Sequence, residues 1–233
     1  MRVFDEPPRI IRGELYVPVR PLAGPAFHAR KDGFDLDRGG VPLRFTAKDR
    51  NIQAGKVCFF VDAEPEFVDG EWMYPAGTLA IILNKRFAAG PRNIAADFRI
   101  LPPEPGVVPV MAAYSPAKSD SPLPQLFDGN LGTYWAGFGS QGVVTMFLGE
   151  EKTVGGVKLQ WHHGTECVCK FEILTSTDGK NFTEVWKGQS EKTGDWETVK
   201  FPPVRASFVR LVGHGSQAGG WTSIRELKLL APK

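Results

Sequence analysis

The segment Leu126-Phe127-Asp128-Gly129-Asn130-Leu131-Gly132-Thr133-Tyr134-Trp135 packs oxygen donors and two glycines into a tight turn ahead of an aromatic pair. Near the end of the chain, Trp221-Thr222-Ser223-Ile224-Arg225-Glu226-Leu227 sets one carboxylate, Glu226, on a short apolar strand. Oxygen-rich turns that also offer backbone carbonyls hold hard cations such as calcium. A cation shared by the two segments would pin the loop to the last strand across about a hundred residues. The plainer alternative is a β-turn in which Asp128 caps its own backbone.

A second group of residues suits sugars. Sugars offer C–H faces that stack on aromatic rings and hydroxyls that seek planar polar side chains, so the two residue types should mix on loops. Three loops fit: Tyr134–Gln141, Trp161–Glu166 and His214–Trp221. They hold three of the four histidines (His162, His163 and His214) together with Trp161 and Trp221. The candidate ligand-binding set is Tyr134, Phe138, His162, His163, His214, Gln217 and Trp221. The alternative is that Trp135, Trp161 and Trp221 are core residues and the histidines simply face solvent.

Enzyme chemistry finds little support. The chain has no Gly-x-Ser-x-Gly elbow, phosphate loop, dinucleotide fingerprint or zinc-protease helix. Carboxylate pairs for glycoside hydrolysis can be nominated, Glu166 with Glu172 or Asp195 with Glu197. Each reads more simply as solvated strand-edge charge. A lyase base at His162 or His163 is conceivable on residue type alone.

These residues need a scaffold, and 233 residues suit one large or two modest domains. Hydrophobic residues make up 42% of the chain, enough for packed cores. The 26 Gly and 19 Pro, set between short apolar runs, point to turns and strands. A net charge of +2 argues for neither nucleic acid nor an anionic membrane as partner. No apolar run approaches the roughly 20 residues of a membrane span. Met1–Asp5 does not read as a signal peptide, which fits a cytoplasmic protein or a secreted one with its signal removed. Cys58, Cys167 and Cys169 do not form a disulfide framework. Cys167 and Cys169 read as buried thiols on one strand face.

The first half contains a repeat. Ile10–Ala23 aligns with Phe67–Ala80, and Gly13/Gly70, Glu14/Glu71, Pro18/Pro75, Leu22/Leu79 and Ala23/Ala80 coincide. Each copy reads as a strand, a turn at Arg12-Gly13 or Asp69-Gly70, a second strand and a Pro that ends the ladder. A short helix is expected after each, from Pro21 or Ala76. Strand-like runs at 42–46, 51–54 and 57–61 lie between the copies, and His28 reads as a lone, non-ligating histidine. Residues 1–100 form this α+β domain. Residues 101–121 form a Pro-rich linker, in which Val107–Met111 can serve as an edge strand to either neighbour.

Residues 122–233 read as a β-sandwich, and the whole chain as mainly β. Strands are expected at 142–148, 156–160, 168–175, 182–187, 196–201, 207–212 and 223–230. Val143/Thr145/Phe147 and Cys169/Phe171/Ile173 alternate with period two. Asp178-Gly179-Lys180-Asn181 marks a hairpin. Closely spaced strands of this kind make an antiparallel jelly roll.

Two resemblances accompany these readings. Phe127-Asp128-Gly129-Asn130, Thr133-Tyr134-Trp135, Phe147-Leu148-Gly149, Phe171-Glu172-Ile173, Ser176-Thr177-Asp178-Gly179, Ala206–Leu211 and Trp221 with Ser223–Glu226 resemble a coagulation factor 5/8 type C (discoidin) domain. The likeness is to its bacterial carbohydrate-binding kind, family 32 carbohydrate-binding modules, over Pro122–Leu230. Ser207-Phe208-Val209-Arg210 departs from the usual Arg-Tyr-Val-Arg. This resemblance implies a galactose-binding-like fold, a sugar site on the loops at one end of the sandwich, and a structural calcium ion. The implied calcium ligands are the Leu126 carbonyl, Asp128, Asn130, Thr133 and Glu226. It also implies a polysaccharide or cell-wall glycan as partner and a secreted or cell-envelope location, with protein adhesion as the competing role. Separately, Gly13–Arg20 and Asp69–Pro75 resemble the copper amine oxidase N-terminal-like module over about residues 8–90, a module without copper chemistry. Tyr74-Pro75-Ala76-Gly77 departs from its usual Val-Pro-Leu/Val-Arg ending, which implies a degraded second helix.

Overall fold

The computed structural model describes residues 8–38, 41–54, 57–60, 64–83, 86–88, 99–101, 104–117, 121, 123–217 and 219–232. The chain forms two compact units, Met1–Pro102 and Pro103–Lys233.

In the first unit the repeat becomes a local two-fold. Hairpin β1 (Arg9–Ile11)/β2 (Glu14–Pro18) leads into helix α1 (Val19–Ala23). Hairpin β8 (Glu66–Val68)/β9 (Glu71–Pro75) leads into helix α2 (Ala76–Leu83). β2 pairs with β9 antiparallel, Tyr16 opposite Pro75 and Pro18 opposite Met73, so equivalent residues of the two copies exchange partners across the axis. Both turns have positive φ, at Arg12 and Gly13 (52° and 84°) and at Asp69 and Gly70 (50° and 91°). That geometry matches the twist of a two-residue hairpin, and Gly adopts it without Cβ strain.

Between the copies runs a five-stranded antiparallel sheet in sequence order. Its strands are β3 (Phe27–Arg30), β4 (Gly33–Arg38), β5 (Val41–Thr46), β6 (Asn51–Ala54) and β7 (Val57–Phe60). Phe34 stacks on Phe45 at 4.5 Å, and Tyr74 meets Phe45 edge-on at 5.2 Å, so aromatic rings join this sheet to β9. A small pair, β10 (Arg86–Ala88) with β11 (Arg99–Leu101), completes the described part. The second helix is not degraded. It has 8 residues against 5 in the first, because Leu79, Ala80, Ile82 and Leu83 are all buried, whereas α1 stops at Gly24 and Pro25. His28 is exposed on β3. Among the described residues, no helix is long and apolar enough to cross a membrane.

The second unit is an antiparallel jelly-roll sandwich. Its strands are β12 (Val107–Val108), β13 (Ala112–Tyr114), β14 (Trp135–Phe138), β15 (Val143–Trp161), β16 (Cys169–Ser176), β17 (Thr183–Gln189), β18 (Glu197–Ser216) and β19 (Trp221–Leu230). The order is β12-β19-β15-β18-β16-β17, with β13 on β15 and β14 on β19. Residues 107–114, inside the stretch read as a linker, thus carry two strands of this sheet. Val107–Val108 is the edge strand expected there, and it pairs with β19.

Two pairs of expected strands fuse. β15 spans both 142–148 and 156–160, and β18 spans both 196–201 and 207–212. Where the two long strands bend, Gly156 faces Lys200 and Val154 faces Val204, so β18 carries extra residues, Pro202 and Pro203 among them. Proline donates nothing to the ladder, and a bulge is where a strand tolerates it. Inside the sandwich Val144, Met146, Leu159, Phe171, Ile173, Val209, Leu211 and Ile224 pack with Trp135 and Trp161. Complete burial of each such side chain contributes about 1.5–3 kcal/mol.

Candidate functional site

β19 carries the site. β14 flanks it on one side, with Ala136 opposite Ser223 and Phe138 opposite Trp221. β15 flanks it on the other, and past its end the His162 N–H donates to the Ser223 carbonyl at 3.1 Å. Tyr134, just before β14, and His162, just after β15, stack face to face at 3.8 Å and 5°. His163 meets His162 edge-on at 3.9 Å. His163 has a φ of 59°, and its carbonyl accepts the Glu166 N–H at 2.9 Å, so the turn after β15 is tight.

These residues border a cavity of about 640 Å³. Its lining includes Tyr134, Trp161, His162, His163, Glu166 and Trp221, together with small groups (Ser121, Ser190, Ser216, Ser223, Cys167, Cys169, Ala136 and Gly219). Aromatic faces and short hydroxyls around one concavity suit a polyhydroxylated ring.

Of the tryptophans, Trp135 and Trp161 are core residues, 1% and 4% exposed, and only Trp221 stands out, at 49%. Trp161 does both jobs, since it packs in the core and also borders the cavity. The structure brings Tyr134, His162, His163 and Trp221 together around the cavity. Phe138 lies beside the cavity, edge-on to Trp221 at 5.1 Å. His214 and Gln217 do not join the set. β18 continues to Ser216, and Gly215, with a φ of 77°, breaks its alternation. Ser216 therefore borders the cavity, while His214 lies in a separate groove with Glu172, Lys187 and Gln189. There its Nε2 is 3.1 Å from Glu172 Oε1. Gln217 is exposed on the turn, outside the cavity lining.

The serines escaped the sequence reading because isolated serines carry no pattern. Ser223 alone had a signal, two residues from Trp221 on the same strand face. Of the two cysteines bordering the cavity, Cys169 is buried on β16, whereas Cys167 precedes that strand and is half-buried, so they do not share a buried strand face; both are free thiols. Burial pushes the Cys169 thiol up to about 11, so it is inert as a nucleophile. The Cys58 side chain lies outside the described residues. Among the described residues, no cluster of three or more His, Cys, Asp or Glu side chains is arranged to hold a metal.

The electrostatics separate the nominated acids. Glu166 borders the cavity and sits 3.0 Å from His163 Nδ1, whereas Glu172 is in the groove, held below its ordinary range chiefly by the Lys187 ammonium. Burial, with His163 and Arg225 nearby, lowers the His162 pKa, so its imidazole is neutral near pH 7. Asp195 is exposed. Glu197 is not a solvated edge charge: it is 5% exposed and accepts the Trp161 Nε1–H at 2.8 Å and the Glu191 N–H at 3.2 Å.

Burial raises the Glu197 pKa above 4.5. The folded state therefore holds this proton more tightly than the unfolded state, and stability falls as pH rises from the unfolded pKa through the folded one. Glu197→Gln keeps one acceptor oxygen for Trp161 and removes the buried charge. It is expected to melt a few degrees above wild type at pH 7–8, with the gap closing as pH falls toward 4, as read by calorimetric melts across pH.

The oxygen-rich loop meets β19 at Arg225 and Glu226. Glu226, 2% exposed, accepts the Gly129 N–H at 2.7 Å. Asp128 takes the Asn130 N–H at 2.7 Å and the Thr133 hydroxyl at 2.8 Å, so the loop also caps itself. The Arg225 Nη1 group donates to the Leu131 carbonyl at 3.1 Å. Burial and the adjoining Asp128 carboxyl push the Glu226 pKa up to about 8. Two carboxyl groups in contact, one of them buried, repel when both are charged, and a cation relieves this. The donors are all oxygen, which fits a hard divalent ion rather than zinc or copper.

A sequence model described as the F5/8 type C domain matches residues 111–227. Comparison with curated proteins gives no match. Among solved structures the chain is similar to the CBM32 of AlyQ in complex with 4,5-unsaturated mannuronic acid. The identity is 31% over 54% of this chain and 98% of that one, with a TM-score of 0.52. It is similar to truncated AlyQ with CBM32 and alginate lyase domains at 30% identity and a TM-score of 0.51, covering 55% of this chain and 34% of that one. A pectin binding carbohydrate binding module shares the fold at 24% identity and a TM-score of 0.51, over 54% of this chain and 94% of that one.

Proposed function

The chain belongs to the F5/8 type C domain family through residues 111–227, and from that premise we propose that its second unit is a non-catalytic carbohydrate-binding module for acidic, uronate-containing glycans. The observation that carries this reading is the cavity beside β19, where the stacked Tyr134–His162 pair, His163 and the exposed Trp221 surround a floor of serines. The uronate class rests on the 31% identical relative in complex with an unsaturated mannuronic acid. Arg225, two residues from Ser223 and close enough to depress the His162 pKa, supplies positive charge nearby.

In this reading His162 and Tyr134 form one wall, Trp221 provides the stacking face, and the serine hydroxyls meet sugar hydroxyls. Calcium enters the proposal as a structural ion. The Leu126 carbonyl, Asp128, Asn130, Thr133 and Glu226 would hold it, and its charge would neutralise the carboxylate pair. The loop it orders leads directly into Tyr134. The protein's role would be that of a secreted or cell-envelope accessory that anchors to a polysaccharide. Its first unit, with its copper amine oxidase N-terminal-like repeat, would act as a non-catalytic companion. A single shallow site of this kind binds in the micromolar to millimolar range, roughly −8 to −4 kcal/mol.

Affinity electrophoresis of the full chain through gels containing alginate, pectin, or a neutral glucan or galactan, with calcium and with chelator, tests the reading. Retardation by the uronate polymers supports it. Retardation by none, or by neutral polymers alone, would move the function to protein adhesion or to another sugar class.

A further inference from the structure

We infer that Phe138 and Trp221 form a second subsite beside the cavity, so that the site takes at least two consecutive sugar units rather than one. The inference rests on the carbohydrate reading above. At 55% and 49%, Phe138 and Trp221 are the two most exposed large hydrophobics described in this unit, and they touch. Trp221 borders the cavity and Phe138 does not, so the pair reaches from the cavity onto the open surface.

The ledge is held in place. Phe138 and Trp221 are register partners across β14 and β19. Just beyond them the Gly139 N–H donates to the Gly220 carbonyl at 2.9 Å. A Cβ at Gly220 would come within 3.1 Å of the Phe138 ring, so the ring lies against bare backbone. A ring fixed between backbone and indole loses little freedom on binding.

Two exposed aromatic rings could instead enter a lipid surface. Binding to anionic membranes draws on clustered Lys and Arg around the apolar groups. Neither 136–142 nor 213–223 contains one. A sugar's C–H face needs only the rings, and the adjoining cavity already suits the neighbouring unit.

The test is calorimetric titration of the full chain, wild type and Phe138→Ala, with an unsaturated uronate monosaccharide and with its disaccharide and tetrasaccharide. In wild type the disaccharide is expected to bind about three- to tenfold more tightly than the monosaccharide. Phe138→Ala should cut that gain below about twofold, and Phe138→Tyr should retain it. A wild type without the gain, or a folded Phe138→Ala protein that keeps it, overturns the inference while the carbohydrate reading stands. A wild type that binds neither sugar overturns the uronate reading and the inference with it. Phe138-dependent binding to phosphatidylserine-containing vesicles would reassign the ledge to membranes.

Discussion

Trp221→Ala is expected to lower affinity for the uronate ligand by more than about tenfold while the protein still folds, its melting temperature falling by no more than about 10 °C. Half of the indole surface already faces solvent, so truncation opens no core cavity. What the fold loses is one edge-to-face contact with Phe138, worth about 0.5–1.5 kcal/mol at most. What the ligand loses is the exposed indole face bordering the cavity. Tryptophan at the centre of a site commonly carries a large share of the binding energy. His162→Ala provides the companion test, because it removes the imidazole stacked on Tyr134 at 3.8 Å. Titration calorimetry and thermal melts on the same samples separate loss of binding from loss of fold. Unchanged affinity in both variants would place the ligand elsewhere.

Calcium is expected to raise the melting temperature of the second unit by about 10 °C or more at a hundredfold excess over its dissociation constant, and chelation should reverse the gain. The size follows from linkage, since an ion that binds only the folded state at that excess contributes about 2.7 kcal/mol. Each kcal/mol moves the melting point of a domain this size by several degrees. The gain should require Glu226, whose buried carboxyl joins β19 to the loop through Gly129. Glu226→Gln keeps an acceptor for the Gly129 N–H and removes one of the two carboxylates, so it should fold and lose most of the calcium response. Melts with calcium, magnesium and chelator read this directly. Identical melts under all three conditions would reduce the loop to a self-capped turn, as the Asp128 bonds to Asn130 and Thr133 already permit.

Much of this architecture can be read in the chain because local chemistry sets it. The repeat at an offset of 57 residues foretells the two-fold, since equal hairpins ending in proline pair most simply through equivalent strands. Asp178-Gly179-Lys180-Asn181 turns where expected, with the Asp178 carboxylate accepting the Lys180 and Asn181 N–H groups at 2.9 and 2.8 Å. The sequence misleads where a distant partner overrules a local signal. Gly149 and Pro202-Pro203 read as strand ends, yet register shifts between β15 and β18 absorb them and the strands run on. His214 reads as a loop residue beside Trp221, but β18 runs on through it and sets it in the groove. Glu197 reads as solvated, because its burial depends on Trp161, 36 residues away.

The site shows the same division. Tyr134, His162, His163 and Trp221 are legible as an aromatic and imidazole mixture on loops. Their meeting depends on the order β14-β19-β15, which no local pattern encodes. The serine floor belongs to the same class, since Ser190 comes in from the end of β17 through reciprocal bonds with Cys169 at 2.8 and 2.9 Å.

The most direct measurement is calorimetric titration of the full calcium-loaded chain with unsaturated oligouronate, repeated on Trp221→Ala and His162→Ala. The carbohydrate reading predicts saturable binding at one site per chain, in the micromolar to millimolar range, that both substitutions weaken by about tenfold or more. No heat of binding from a folded protein, or binding that neither substitution alters, would contradict it.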